Sequence, residues 1–119
     1  MKKVLIIDDN KAYRETLKIV LESKGYIVEI AVDGEEGKSK IISENPDLIL
    51  LDVVMPKENG ISLLEEIKKN ELMNKIPVIV SSSYPGAKEL TEGFGVNAFI
   101  TKADLTTEEI VNKIEKFLS

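Results

Sequence analysis

VLIIDDN, Val4–Asn10, decides the fold. Four apolar residues run straight into two adjacent carboxylates, Asp8 and Asp9. A β-branched and leucine run of this length, with no polar alternation, suits a strand covered on both faces. The pattern returns at Leu48–Leu51, at Val78–Val80 and, shorter, at Ala98–Ile100. Tyr26–Ala31 is interrupted by Glu29 and reads as an edge strand. Helical periodicity fills the intervals. Lys11–Lys24 carries Tyr13, Leu17, Val20 and Leu21 on one face and is closed by Gly25; Ile61–Lys69 carries Leu63, Leu64 and Ile67. The last helix begins at Thr106, which has capping-box spacing to Glu109, and presents Ile110, Val111, Ile114, Phe117 and Leu118. Gly34–Ser43 is a weaker helix, with Gly37 inside it and only Ile41 and Ile42 as bulky apolar residues. After Pro85-Gly86 a short, mobile helix is expected from about Ala87, anchored by Leu90 and Phe94. Strand and helix alternating five times predict one α/β domain over residues 1–119, a parallel sheet wrapped on both faces by right-handed crossovers.

The totals narrow the chemistry. The chain has 119 residues, 43% hydrophobic and 31% charged, with a net charge of -5 and both signs interleaved. No basic face is available for direct nucleic-acid binding. No apolar run approaches the roughly 18 residues of a membrane span, and the acids after MKKVLII cut that stretch too short for a signal peptide. A cytoplasmic protein is the expectation. With no Cys and no His, thiol chemistry and imidazole ligation are excluded, so any metal must be held by oxygen.

In an open α/β sheet, ligands bind beyond the carboxyl ends of the strands. The residues there are Asp8 and Asp9 after the first strand, Asp52 after the third, Ser82 and Ser83 after the fourth and Lys102 after the fifth. Each alone has an ordinary explanation: an Asp after a strand forms turns or caps helices, a Ser caps backbone, a Lys is solvated. Together they do not. Neighbouring strands lie about 4.8 Å apart, and two carboxylates at about 4 Å repel by roughly 4 kcal/mol at an effective dielectric near 20. If the first and third strands are neighbours, three acids crowd one rim and Lys102 supplies a single counter-charge. A hard divalent cation fits the remainder, since Mg2+ favours one or two carboxylates together with waters and phosphate oxygens. Three carboxylates, a lysine and a serine form a set suited to Mg2+-assisted phosphoryl chemistry.

These residues carry a resemblance that covers essentially the whole chain. Asp8-Asp9, Asp52 in LLDVVMPKENG, Ser82 after PVIVS and Lys102 in AFITK resemble, in order, the residue set of the receiver domain of bacterial two-component response regulators. Pro56 and Gly60 also fall where that family's loop has them. The resemblance implies a flavodoxin-like three-layer sandwich, a five-stranded parallel sheet of order 2-1-3-4-5 flanked by five helices. It implies that Asp52 accepts a phosphoryl group from a sensor histidine kinase or a histidine phosphotransfer protein, with small donors such as acetyl phosphate also serving. It implies Mg2+ (or Mn2+) held by Asp9, Asp52 and the Val54 backbone carbonyl, with Asp8 acting mostly through water. Lys102 and Ser82 would contact the phosphoryl oxygens, and Ser82 and Phe99 would form the switch that signals to a downstream protein or effector domain. Such a domain is a signalling module that catalyses only its own phosphorylation and dephosphorylation. One receiver domain is expected to account for all 119 residues, either as a single-domain regulator or relay or as a receiver cut from a longer protein.

The chain departs from the family pattern in small ways. Ala103 follows Lys102 where Pro is usual, so a trans bond is expected there. The stretch between Ser82 and Phe99 is slightly shorter than in many relatives. Val54 and Tyr84 occupy positions that tune dephosphorylation. The alternative of another class is an Asp-nucleophile phosphatase, which would want its nucleophile after the first strand in a D-x-D arrangement. A dinucleotide- or flavin-binding module is disfavoured because no G-x-G-x-x-G follows that strand.

Overall fold

The computed structural model describes residues 1–55 and 60–118; Pro56 lies outside the described residues. Five strands, β1 (Lys3–Ile7), β2 (Ile27–Ala31), β3 (Leu48–Leu51), β4 (Val78–Ser82) and β5 (Ala98–Thr101), pair in parallel in the order β2-β1-β3-β4-β5. The helices are α1 (Lys11–Ser23), α2 (Gly34–Glu44), α3 (Gly60–Lys69), α4 (Ala87–Thr91) and α5 (Thr107–Lys116). Side chains of a strand alternate between the two faces of a sheet, so continuous apolar runs feed two cores. Val4, Ile6, Leu48, Leu50 and Ile79 pack against Leu17 and Leu21 of α1 and Ile110, Val111 and Ile114 of α5. Leu5, Ile7, Ile49, Leu51, Val78 and Val80 pack on the other face against Ile41 of α2 and Leu63, Leu64 and Ile67 of α3.

Register fixes the rim. Ile7 pairs with Ala31 on one side and Leu51 on the other, Leu51 with Val80, and Ser82 with Thr101. Asp8 and Asp52 are therefore the next residues on adjacent strands. Their backbones continue the ladder, Asp8 N–H to Ala31 O at 3.0 Å and Asp52 N–H to Ile7 O at 2.9 Å.

The elements differ from expectation in places where packing overrides pattern. The edge position of β2 is as expected; its Glu29 pairs at 3.7 Å with Lys40 of α2. Tyr26 precedes the strand and instead donates its hydroxyl to Glu115 of α5 at 2.9 Å. Gly37 weakens α2 as a helix but brings it onto the sheet, because a Cβ there would lie 2.6 Å from Ile7 Cδ1. Of the two isoleucines of α2 only Ile41 is buried; Ile42 faces solvent. The helix α4 does begin at Ala87 and is short, passing into a 3₁₀ turn over Glu92–Phe94. Its anchors are Ala87 and Thr91, both fully buried, with Phe94 packed partly against the core. Leu90, expected as an anchor, is 53% exposed. Ala87 and Thr91, four residues apart, share the inward face, and Thr91 donates its hydroxyl to Ala87 O at 2.9 Å. The capping box of α5 is formed: Thr106 Oγ1 accepts from Glu109 N–H and Glu109 Oε1 from Thr106 N–H, satisfying two N–H groups that the first turn leaves without a partner.

Candidate functional site at the carboxyl ends of the strands

The end of β1 is built to release Asp9. Asn10, not either aspartate, caps α1, its Oδ1 accepting from Tyr13 N–H at 2.9 Å. Asp8 takes the turn, its Oδ1 accepting from Asn10 N–H at 2.9 Å. The ordinary explanation for Asp9, a helix cap, is thereby removed, and its side chain stands exposed above a buried Asp8. Asp8 is 1% exposed and Asp52 4%.

Lys102, just past β5, closes the pair. Its Nζ lies 2.7 Å from Asp8 Oδ2 and 3.3 Å from Asp52 Oδ2. The second contact is a hydrogen bond. The first is an ion pair off the hydrogen-bond direction, so buried Asp8 Oδ2 has a counter-charge but no hydrogen-bond partner among the described residues. Asp52 Oδ1 accepts from Val54 N–H at 2.9 Å. Burial pushes the Asp52 carboxyl above its ordinary range, helped by the charge of Asp8 and opposed by the Val54 N–H and by Lys102. The Lys102–Ala103 bond is trans, since the described residues contain no cis peptide.

One oxygen each of Asp8, Asp9 and Asp52 lies within 4.8 Å of the others. The donor set is all oxygen, it is under-neutralised by one lysine, and one of its buried oxygens lacks a hydrogen bond. That chemistry fits a hard divalent cation.

Ser82 is fully buried at the end of β4, and its Oγ accepts from Tyr84 N–H at 3.0 Å. The hydroxyl thus organises the following turn, the ordinary role of a lone serine, while keeping a proton to donate. Phe99 is half-buried on β5 and lines two shallow hollows with Lys88, one toward Val96 and the other toward Leu105 and Lys113.

Three residues of the site escape the sequence pattern. Tyr13 reads as core on the apolar face of α1, but its hydroxyl lies 2.6 Å from Ser81 Oγ and its ring lies under Lys102 Nζ, 4.3 Å from centroid to nitrogen. Ser81, beside Ser82, is also fully buried. Arg14 is buried as well, and its Nη1 donates to Asp8 O at 2.7 Å. One signal was available: a helix opening directly after the acids lays its first turn over the strand ends.

This fold and rim define a phosphoryl-signalling class, and comparison with known proteins agrees. The chain belongs to the response regulator receiver domain family, whose model matches residues 4–115. It is 32% identical over 120 residues to the DNA-binding dual master transcriptional regulator RpaA of Synechocystis, covering 99% of this chain and 49% of that protein. It is 33% identical over 115 residues to protein PilG of Pseudomonas aeruginosa, covering 95% and 84%. The chain thus spans about half the length of RpaA, and 42% of that of PhoP of Bacillus subtilis. Among solved structures, response regulator TrrA of Thermotoga maritima in complex with Mg2+-BeF superposes with a TM-score of 0.86 at 30% identity, covering 98% of this chain and 99% of that one. The Mn2+-bound form of response regulator Rcp1 gives 0.84 at 29% identity, covering 99% and 94%. The chain is a phosphoacceptor signalling domain of two-component systems with a CheY-like flavodoxin fold. Nothing in the site favours the phosphatase alternative; the acid hydrogen-bonded by both Lys102 and the Val54 N–H is Asp52, which follows β3, not β1.

Proposed function

We propose that Asp52 is the phosphoacceptor and that this domain catalyses its own phosphorylation and dephosphorylation. The observation that carries the reading is the convergence of buried Asp52, buried Asp8 and exposed Asp9 with Lys102 at the aligned ends of adjacent strands. The donor would be a phosphohistidine on a sensor histidine kinase or histidine phosphotransfer protein. An Asp52 oxygen attacks phosphorus, the P–N bond breaks, and its electron pair leaves with the imidazole. Asp52 is held for this by Val54 N–H on one oxygen and Lys102 on the other. Phosphoryl transfer needs chiefly positioning and charge neutralisation, and both are supplied by groups that rigid strands fix in place. Asp9, Asp52 and the Val54 carbonyl would hold Mg2+ (or Mn2+), with Asp8 contributing through water. That ion would neutralise charge on the incoming phosphoryl oxygens.

Phosphorylation adds a dianion beside Lys102. Ser82 would turn its hydroxyl proton toward it, giving up the geometry that now holds Tyr84 N–H, and Phe99 would repack behind it. This biases a second conformation of the β4–α4 segment, read by a downstream protein or effector domain in the cytoplasm.

The test is mass spectrometry after incubation with acetyl phosphate and Mg2+. One phosphoryl group should add to the wild type and none to Asp52→Asn. Labelling of Asp52→Asn at the wild-type level overturns the assignment.

A further inference from the structure

Lys102 is contacted from a third direction that the chemistry above does not use. Besides Asp8 Oδ2 at 2.7 Å and Asp52 Oδ2 at 3.3 Å, its ammonium sits over the ring of Tyr13, 4.3 Å from the centroid. The face of an aromatic ring is its negative region, and a cation over it within about 6 Å is attracted. The ring itself is tied down. Tyr13 stands in the first turn of α1, and its hydroxyl meets Ser81 Oγ at 2.6 Å, joining that helix to β4. Ser81 is fully buried in the sheet, so the anchor is rigid. The phenol does not serve as an acid or base: burial, reinforced by the charges of Asp8 and Asp52 and opposed by the Ser81 hydrogen bond, pushes its pKa up to about 12. It is a neutral surface at every pH at which Asp52 works.

A lysine is a point charge on a flexible four-carbon stem, and nothing in its own covalent structure centres it between two carboxylates. We propose that Tyr13 is a positioning residue for Lys102: its ring, locked to β4 through Ser81, is the floor that holds the ammonium within reach of both Asp8 and Asp52. Ring and hydroxyl have separate duties, the ring supporting the charge and the hydroxyl supporting the ring. The proposal rests on the reading of Lys102 as the partner of phosphoryl charge at Asp52.

The variants are Tyr13→Phe, which keeps the ring, Tyr13→Leu, which removes it, and Ser81→Ala, which frees the hydroxyl. The first readout is the proton shift of the Lys102 ε-methylene group in the unphosphorylated protein, which depends on the ring and on no reaction. It should lie upfield of the exposed lysines in wild type, move partway back in Tyr13→Phe and in Ser81→Ala, each of which breaks the hydroxyl tether, and return to the exposed-lysine value in Tyr13→Leu. The second is the rate of labelling by acetyl phosphate, expected within about twofold of wild type for Tyr13→Phe and down about fivefold for Tyr13→Leu. In a Lys102→Ala background Tyr13→Leu should cost nothing further, because the two side chains act as one unit. An unshifted ε-methylene group in wild type overturns the proposal, as does a loss of rate from Tyr13→Leu that is as large without Lys102 as with it. Should Tyr13→Leu fail to fold, Ser81→Ala decides by its ε-methylene shift, and no change there overturns the tethering. Failure of the phosphoacceptor reading shows separately, as labelling of Asp52→Asn.

Discussion

At the scale of the residue, Asp52 embodies a conflict between folding and chemistry. It is buried where a carboxylate is costly, and burial pushes its pKa up despite the Val54 N–H and Lys102. A carboxyl whose folded pKa lies above its unfolded value binds its proton more tightly in the fold. Stability is therefore lost as pH rises from the unfolded pKa through the folded one, and the cost persists at neutral pH. Without metal, Asp52→Asn should melt above the wild type at pH 7, and the gap should close as the buffer is taken into the acid range where Asp52 is protonated. Thermal melting in EDTA across that range checks this; a wild type that melts at or above the variant at pH 7 contradicts it. Asp8, Asp9, Asp52, Ser82 and Lys102 are legible in the sequence because each follows an apolar strand, and strand ends are where open sheets bind. Tyr13, Ser81 and Arg14 are not. A tyrosine on an apolar helix face is usually core, a serine inside a strand usually turns or packs, and an arginine is usually solvated. Only the three-dimensional crossing of α1 over the strand ends gives them roles.

At the scale of the element, the strands answer to sequence and the poorer helices answer to packing. Continuous apolar runs leave β1, β3 and β4 no alternative to the sheet interior. In α2 and α4 the deciding residues are small ones, Gly37 against Ile7 and Ala87 against the core, which carry no hydrophobic signal. This is why Leu90 was a plausible but wrong anchor. The entry to α3 shows the same logic at the site. A Cβ on Gly60 would lie 2.5 Å from Val53 Cα and 2.6 Å from Asp52 O, against backbone that cannot rotate away. Gly60→Ala should therefore destabilise the domain by about 1–3 kcal/mol, although alanine is the better helix former. It should also slow labelling of Asp52, because the displaced atoms belong to that residue's own peptide. Urea unfolding and acetyl phosphate labelling measure the two effects, and an alanine variant as stable and as fast as wild type would refute the close contact.

At the scale of the whole molecule, the fold accepts crowded acids that a cation can relieve. A divalent ion bound by the native state alone stabilises it by mass action. At about ten times its dissociation constant the gain is roughly 1.4 kcal/mol, a rise of a few degrees in Tm for a domain of this size. Asp9 is the exposed member of the cluster, so its loss relieves little repulsion in the fold but takes one of the three carboxylates from the candidate cation site. Melting curves with EDTA and with Mg2+ should separate strongly for wild type and weakly for Asp9→Asn. The idea is sunk by a wild-type curve indifferent to Mg2+, or by a variant that responds equally.

The register that sets Ile7 opposite Leu51 makes the domain tolerant of changes in length at one end and intolerant at the other. Side chains in a strand reverse face with each residue, so deleting a single residue from Leu48–Leu51 would draw Asp52 back by about 3.3 Å and turn it to the opposite side of the sheet. The connection between α3 and β4 lies at the far ends of the same strands, and Leu72 within it is 89% exposed. A foreign segment spliced in beside Leu72 leaves the count of residues from each strand to the rim untouched. The chain therefore has a natural port for carrying a fluorescent reporter or a second folded unit while its phosphorylation goes on undisturbed.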